Sequence, residues 1–370
     1  MPTSLKNLQF RIDRNQLQNT AWVAARDEPL ASGFVRFALE RFGLSANNIT
    51  YADLGDKMSY WKFFPTDNGF GMLPIWGFAR VVESTLAEFP ISMRAYGYWP
   101  LASHAVLQPA WLGTANFADK SAQRADLPAV YQLYQRWQLP ADAIAEARYA
   151  LLRPLYMTAW LCADFLRTEV IQLEAQAISS VLILSASSKT ALALGAALKR
   201  IAPTIRTIGC TSAANLEFVQ RTHCFDAVHS YDEIEQLPKT STALVDVAGS
   251  KRLLARVHQH FGDLLHYSGV LGISHRGEFA LEASALPGAK PQLFFAPSQV
   301  KKRMLQHGPG WIEQQSRADW EAFLTMSESW LEVDVQNTIE HVQASYLNLL
   351  AGKALADRGL GFELLAPIAL

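Results

Sequence analysis

The residues best suited to chemistry form a short run of small hydroxylic side chains with one cation, Ser185-Ala-Ser-Ser-Lys-Thr-Ala191. The run follows Val181-Leu-Ile-Leu184, an all-apolar stretch of the kind buried on both faces of a sheet. It precedes Thr190 to Arg200, an Ala/Leu-rich stretch that reads as a helix. A turn from strand to helix presents the first N–H groups of the helix and its partial positive charge, which together suit a phosphate. Such turns usually carry glycines so that the backbone can approach its ligand. This one has none. Ser185, Ser188 and Ala191 nevertheless hold small side chains at the spacing of a G/A-xx-G-xx-G turn, Ser185, Ser187, Ser188 and Thr190 add hydroxyl donors, and Lys189 adds a charge. A plainer reading has Ser187 or Ser188 capping the helix and Lys189 in solvent. A P-loop is excluded because Ile183 and Ser188 stand where its two glycines belong. A Ser–Lys hydrolase would need serine where Ala186 stands, and no G-x-S-x-G elbow occurs.

The next strand, Thr204 to Cys210, ends in Thr211-Ser-Ala-Ala-Asn215, with no carboxylate at its tip. A site for NAD usually places Asp or Glu about 20 residues after the turn, on the ribose 2′-OH. Without that charge a 2′-phosphate is not repelled, and Thr211, Ser212 and Asn215 can donate to it. The tip therefore favours NADP, as NADPH, over NAD. The competing reading makes Ser212 a helix cap.

These residues need a scaffold, and the order of elements supplies one. From Ser179 onward, strands (Val181 to Leu184, Thr204 to Cys210, Ala227 to Ser230, Thr242 to Ala248, Tyr267 to Ser274) alternate with helices (Thr190 to Arg200, Ala213 to Arg221, Ser250 to Phe261). Gln292 to Phe295 can add a further strand. This alternation predicts an α/β fold with a Rossmann-type doubly wound parallel sheet. The first 110 or so residues differ: Gly, Pro, Asn and Asp break up short strand-like runs such as Ile75 to Val82, Met93 to Tyr98 and His104 to Leu107, the pattern of a mainly β domain. Between the two regions, Ala141 to Leu152 and Tyr156 to Leu166 read as helices punctuated by Pro140 and Pro154, and the tail from Ser298 reads as helical. The resulting layout is a substrate domain over 1–150, a dinucleotide-binding domain over 151–296 and a segment over 297–370 that returns to the first domain. Residues 111–150 receive no role.

Composition narrows the partners. The formal net charge of −1 leaves no global field to hold the chain on nucleic acid or an anionic membrane. No segment of about 20 uncharged apolar residues occurs, so no membrane span is expected. The three cysteines, Cys162, Cys210 and Cys224, form no CxxC pair and no zinc-ligand cluster, and their number suits a reducing cytoplasm.

Several strings then resemble the medium-chain dehydrogenase/reductase superfamily on its zinc-free, quinone-oxidoreductase-like side. They are Asn47-Asn-Ile-Thr-Tyr51, Leu73 to Glu83, Arg94 to Pro109, Met157-Thr-Ala-Trp160, Asp246-Val-Ala-Gly249 and Gly272-Ile-Ser-His275. Ser185 to Thr190 and Phe294-Phe-Ala-Pro-Ser-Gln299 further resemble an uncharacterised branch with a domain of unknown function. The resemblance implies that the N-terminal β domain is GroES-like and is completed by the C-terminal segment. It implies cofactor contacts at Thr158, at Tyr231 near the adenosine phosphate, and at Ala248, Gly249, Gly272, Ser274, His275 and Phe295. Tyr51 and Tyr60 become the catalytic candidates, because they fall in the loop segment that faces the nicotinamide in that family; their plainer role is as pocket walls. Trp61, Phe63, Phe64, Trp76, Phe294 and Phe295 can line an apolar pocket or belong to the core.

The expected activity is NADPH-dependent hydride transfer, without a metal, to an activated C=C bond or a quinone in a small apolar or acyl substrate. The alternative is a dinucleotide-binding or sensing protein that does not turn over. A homodimer is a further implication of the resemblance.

Overall fold

The computed structural model describes residues 7–26, 28–67, 69–172, 178–271 and 286–364. In chain order the N-terminal part holds β1 (Leu8–Asp13), β2 (Thr20–Ala24), β3 (Val35–Leu44), α1 (Ala46–Asp53), β4 (Phe70–Met72), β5 (Pro74–Ser84), β6 (Arg94–Pro100), β7 (His104–Leu107), β8 (Pro109–Trp111), β9 (Asn116–Asp119) and β10 (Leu133–Trp137). There follow α2 (Ala143–Phe165), β11 (Ser180–Leu184), α3 (Lys189–Ile201), β12 (Arg206–Thr211), α4 (Leu216–Arg221), β13 (Ala227–Ser230), β14 (Thr242–Asp246), α5 (Lys251–Phe261), β15 (Leu265–Val270) and β16 (Gln292–Leu293). The C-terminal part holds α6 (Ala296–His307), α7 (Trp311–Ser327), β17 (Glu332–Gln336), α8 (Ile339–Leu350) and β18 (Arg358–Glu363). Two compact units result: Met1–Leu151 with Glu332–Leu370, and Leu152–Leu331.

The first unit is built on β3, which is buried at all ten positions. It pairs antiparallel with β5 along one edge and with β18 and β7 along the other. The large sheet runs β17-β18-β3-β5-β6-β10-β9-β8, and a smaller sheet runs β2-β1-β4. Their apolar faces enclose a core that includes Phe10, Phe37, Phe42, Leu73, Val81 and Trp99. Residues 111–150, which the sequence left without a role, supply β9 and β10 and so widen this sheet. Glu146 is buried where α2 begins, between Arg41 (2.7 Å) and Arg94 (2.8 Å). It ties the helix to β3 and β6.

The C-terminal tail departs from the all-helical expectation. Residues 332–364 contribute two parallel strands, β17 and β18, joined through α8. β18 lies on β3, and the rings of Phe42 and Phe362 stack at 5.2 Å. Residues 297–331, read as part of the returning segment, instead form α6 and α7 within the second unit. There Arg303 bonds Asp164 at 2.6 Å and Phe323 stacks on Tyr156 at 5.2 Å.

Pro154 does not end a helix. It lies inside α2, which runs unbroken for 23 residues. Proline removes one backbone bond there. The apolar side of α2, with Leu151, Leu152, Leu155, Tyr156, Ala159 and Trp160 buried, outweighs that loss. A π-helical turn, Leu166–Ile171, follows.

The second unit is the doubly wound sheet that the alternation predicted. Its six strands are parallel and run β13-β12-β11-β14-β15-β16. This is the 3-2-1-4-5-6 order of a dinucleotide-binding sheet, with the chain reversing direction next to β11. β11 and β14 are buried at every position, as continuous apolar runs require. Three expected strands end earlier than read: β14 at Asp246, β15 at Val270 and β16 at Leu293.

Candidate functional site

In the second unit the glycine-free turn stands at the carboxyl end of β11. Ser185 takes the left-handed conformation, with φ of +57°. Glycine adopts this conformation freely, and for serine it costs on the order of 1 kcal/mol. The neighbours enforce it. Ser188 N–H donates to the Ser185 carbonyl at 2.8 Å, and Ala186 N–H donates to the Cys210 carbonyl at 2.9 Å. Tyr231, half-buried beyond β13, bonds both the side chain and the backbone of Ser185; burial pushes its phenol up, and these bonds act in the opposite sense.

The missing glycines are found on the facing elements. A Cβ on Gly209 of β12 would stand 3.0 Å from the Ala186 Cβ and 2.8 Å from the Phe225 ring. A Cβ on Gly195 of α3 would stand 2.6 Å from Phe225 and 2.7 Å from the Cys224 carbonyl. Close approach of helix and strand is thus kept, with the bare Cα moved from the turn to its partners. A glycine inside a strand was the signal that could have found Gly209.

Ser188 caps α3: its hydroxyl accepts from Ala191 N–H at 3.2 Å. Lys189 and Thr190 open the helix and are half-buried, so Lys189 is not a fully solvated cation. At the tip of β12, the Asn215 amide donates to the Ser187 hydroxyl at 3.2 Å, which joins the two loops. Ser212 precedes a short 3-10 turn, Ala213–Asn215, and makes no capping bond with its side chain. The expected helix from Ala213 therefore begins as this turn, and α4 starts at Leu216. Thr211 is 1% exposed, and its hydroxyl has no hydrogen-bond partner among the described residues. A buried donor left unmet costs about 1–3 kcal/mol, so native structures keep few of them.

After β14, Asp246 is fully buried, and its carboxylate accepts from Ala248 N–H at 3.1 Å and Gly249 N–H at 3.0 Å. Gly249 has φ of +77°. Thr158 lies mid-helix in α2, not at a helix start, and its hydroxyl bonds the Pro154 carbonyl at 3.1 Å. Phe295 occupies the residue before α6 and is half-buried. Gly272, Ser274 and His275 lie outside the described residues.

In the first unit the structure brings Tyr51 and Tyr60 together, with ring centroids 4.7 Å apart. They belong to a cluster with Phe63, Phe64, Met72 and Tyr98, flanked by Trp76 and Tyr131. The Tyr51 hydroxyl accepts from Trp76 Nε1 at 3.2 Å, and the Tyr60 and Tyr131 hydroxyls meet at 3.5 Å. Burial, and then the neighbouring phenols, pushes Tyr51, Tyr98 and Tyr131 upward; burial alone does so for Tyr60. All four stay protonated at neutral pH and can act as donors. Trp61, Phe63 and Phe64 are 2%, 0% and 8% exposed and belong to the core. Trp61 fills the space over Gly55 and Gly71. Sequence reasoning missed Tyr98 and Tyr131, because one sits in β6 and the other in the segment without a role, and nothing in their spacing links them.

No helix among the described residues is long and apolar enough to cross a membrane. Among the same residues, no group of three or more His, Cys, Asp or Glu could hold a metal ion.

Comparison with known proteins adds the following. A family model described as "Protein of unknown function (DUF2855)" matches residues 42–355. No curated protein matches the chain. Among solved structures, CurA from Vibrio vulnificus in complex with NADPH is similar at 13% identity and a TM-score of 0.61, over 97% of this chain and 98% of that one. A putative NADPH:quinone reductase from Bacillus thuringiensis is similar at 12% identity and a TM-score of 0.60, over 97% and 99%. The CurK enoyl reductase is similar at 13% identity and a TM-score of 0.58, over 97% and 99%. At such identities the likeness shows the fold: a Rossmann-type sheet with a mainly β, GroES-like unit completed by the C-terminal segment.

Proposed function

The chain belongs to the DUF2855 family, and we propose that it is an NADPH-dependent oxidoreductase that reduces an activated C=C bond or a quinone by hydride transfer without a metal. The observation that carries the reading is the meeting of three loops at the carboxyl end of the parallel sheet, where the Tyr231 hydroxyl and the Asn215 amide both reach the Ser185–Ser187 turn. The similar proteins described as an NADPH complex, a quinone reductase and an enoyl reductase support it.

The residues fit the cofactor. The N-terminus of α3 and the hydroxyls of Ser185, Ser187 and Thr190 suit a pyrophosphate. Lys189 adds charge. The orphaned hydroxyl of Thr211, with Ser212 and Asn215, suits a ribose phosphate at a strand tip that bears no carboxylate. NADPH, when bound, supplies the hydride. The chain's own part is to place it and to meet the charge that develops on the substrate's carbonyl oxygen. Tyr51 and Tyr60, held neutral, are the proposed donors to that oxygen.

A second reading, dinucleotide binding without turnover, is favoured by the strained, glycine-free turn. NADPH titration followed by cofactor fluorescence tests both readings, and absence of binding at physiological concentrations sinks both. Loss of NADPH absorbance with a panel of enones and quinones separates them: turnover is the expected result, and binding without turnover selects the second.

A further inference from the structure

The cluster around Tyr51 and Tyr60 contains more hydrogen-bonding capacity than its own residues use. Tyr98 is 0% exposed, and its hydroxyl has no hydrogen-bond partner among the described residues. Tyr60 and Tyr131 share one contact at 3.5 Å. A phenol donates one proton, so that pair keeps one to give and Tyr98 keeps another. With the proton of Tyr51, whose hydroxyl accepts from Trp76, these spare donors suffice for the two lone pairs of a carbonyl oxygen.

The charge of the ligand follows from Arg124. Its guanidinium, 1% exposed, is engaged by Asp119 (3.1 Å), the Phe63 carbonyl (3.2 Å) and the Tyr134 hydroxyl (2.9 Å), and lies 4.5 Å from the centre of the Phe64 ring. Its charge is already answered, so a carboxylate or phosphate would find no counter-ion in it. The shape of the ligand follows from the rings. Tyr98 and Tyr131 lie 4.8 Å apart, and Tyr131 meets Tyr60 edge-on at 5.8 Å. Trp76 and Tyr131, both half-buried, form the open side. Tilted and edge-to-face contacts of this kind extend naturally to another flat ring, which gains from them beyond the apolar burial it shares with an acyl chain.

We propose that Tyr60, Tyr98 and Tyr131 form a binding site for an uncharged carbonyl oxygen conjugated to a flat aromatic ring, so that the preferred acceptor is an aryl-conjugated ketone. The proposal rests on the reductase reading for what the site is used for; its chemistry rests on the first unit alone. It also gives the segment between β9 and β10 a purpose, since that segment carries Tyr131 onto the cluster.

The test uses the full chain without nucleotide. Benzylideneacetone, as the aryl ketone, and the crotonyl thioester of N-acetylcysteamine, as the acyl compound, are titrated by calorimetry into wild type, Tyr98→Phe and Tyr131→Phe. The ketone is expected to bind at least about tenfold more tightly than the thioester. Tyr98→Phe is expected to lose about tenfold in ketone affinity, the equivalent of one hydrogen bond to a buried acceptor, and Tyr131→Phe, which leaves the Tyr60 proton free to donate, is expected to lose less. Tyr98→Phe is expected to melt no lower than wild type, because it deletes a hydroxyl without a partner. Absence of ketone binding, preference for the thioester, unchanged affinity in Tyr98→Phe or a lowered melting temperature in that variant would each overturn the proposal. NADPH titration of the same samples keeps the two readings apart: ketone binding with no NADPH binding removes the reductase and leaves this site, and the reverse removes the site alone.

Discussion

Ser185 shows how a residue that looks wrong for its place can be held there. Its φ of +57° suits glycine, and the bonds from Ser188 and Tyr231 hold a serine in it. Replacing it with glycine or alanine removes the same hydroxyl but differs in backbone freedom. Ser185→Gly is expected to be more stable than Ser185→Ala by about 1 kcal/mol, measured by urea unfolding. At an ordinary loop position with negative φ the order would be the reverse. Lys189, at the start of α3, is the turn's own cation. Lys189→Ala is expected to weaken NADPH binding about fivefold, equivalent to about 1 kcal/mol for one charge at a helix N-terminus. Fluorescence titration checks it, and an unchanged Kd would show that Lys189 does not face the phosphate. Neither residue's conformation was legible in the sequence. The serines and the lysine were visible as residue types, but the left-handed turn depends on Tyr231, some forty-five positions along the chain, and on Gly209 of the next strand.

Elements are pinned to one another by buried polar groups. His258 of α5 is fully buried; its Nδ1–H donates to the Pro287 carbonyl at 2.8 Å, and its Nε2 accepts from the Ser268 hydroxyl of β15 at 2.9 Å. Burial holds this imidazole below its ordinary 6.5. The folded state therefore binds the proton less readily than the unfolded one. The stability tied to His258 is present above pH 6.5 and is lost as pH falls through the folded value. Unfolding free energy is expected to drop between pH 7 and 5 with a contribution of up to about 1.4 kcal/mol per pH unit from this group. His258→Gln is expected to flatten the profile, and an identical slope would assign the effect elsewhere. Glu146 pins α2 to β3 and β6 between two arginines. Glu146→Ala leaves both guanidinium groups without this partner and is expected to cost about 3–5 kcal/mol in urea unfolding. Periodicity placed α5 well but read α2 as two helices broken at Pro154, and it could not show which polar residues on either would be buried.

At the scale of the whole molecule, the first unit needs a segment remote in sequence. β18 occupies the β3 edge from Leu44 to Arg41, and Phe362 closes the core over Phe42. A chain lacking residues 332–364 would expose that edge and that face. It is expected to lose the cooperative unfolding transition of the first unit, seen in its near-ultraviolet circular dichroism, and to aggregate through the open strand. Retention of that transition would show that the edge is dispensable.

The sequence by itself determined the parallel sheet, because buried strands are written as uninterrupted apolar runs and their helices as amphipathic ones, both patterns local to a few residues. It also determined the strand-rich character of the N-terminal region, the hydroxylic turn at Ser185 and the non-acidic tip at Thr211. Tertiary structure alone decided where the C-terminal strands pair, why α2 tolerates Pro154, how a turn without glycine keeps its shape and that Tyr98 and Tyr131 join Tyr51 and Tyr60. These features rest on contacts between residues far apart in the chain, and neither composition nor local periodicity records which distant side chain will fill a given space.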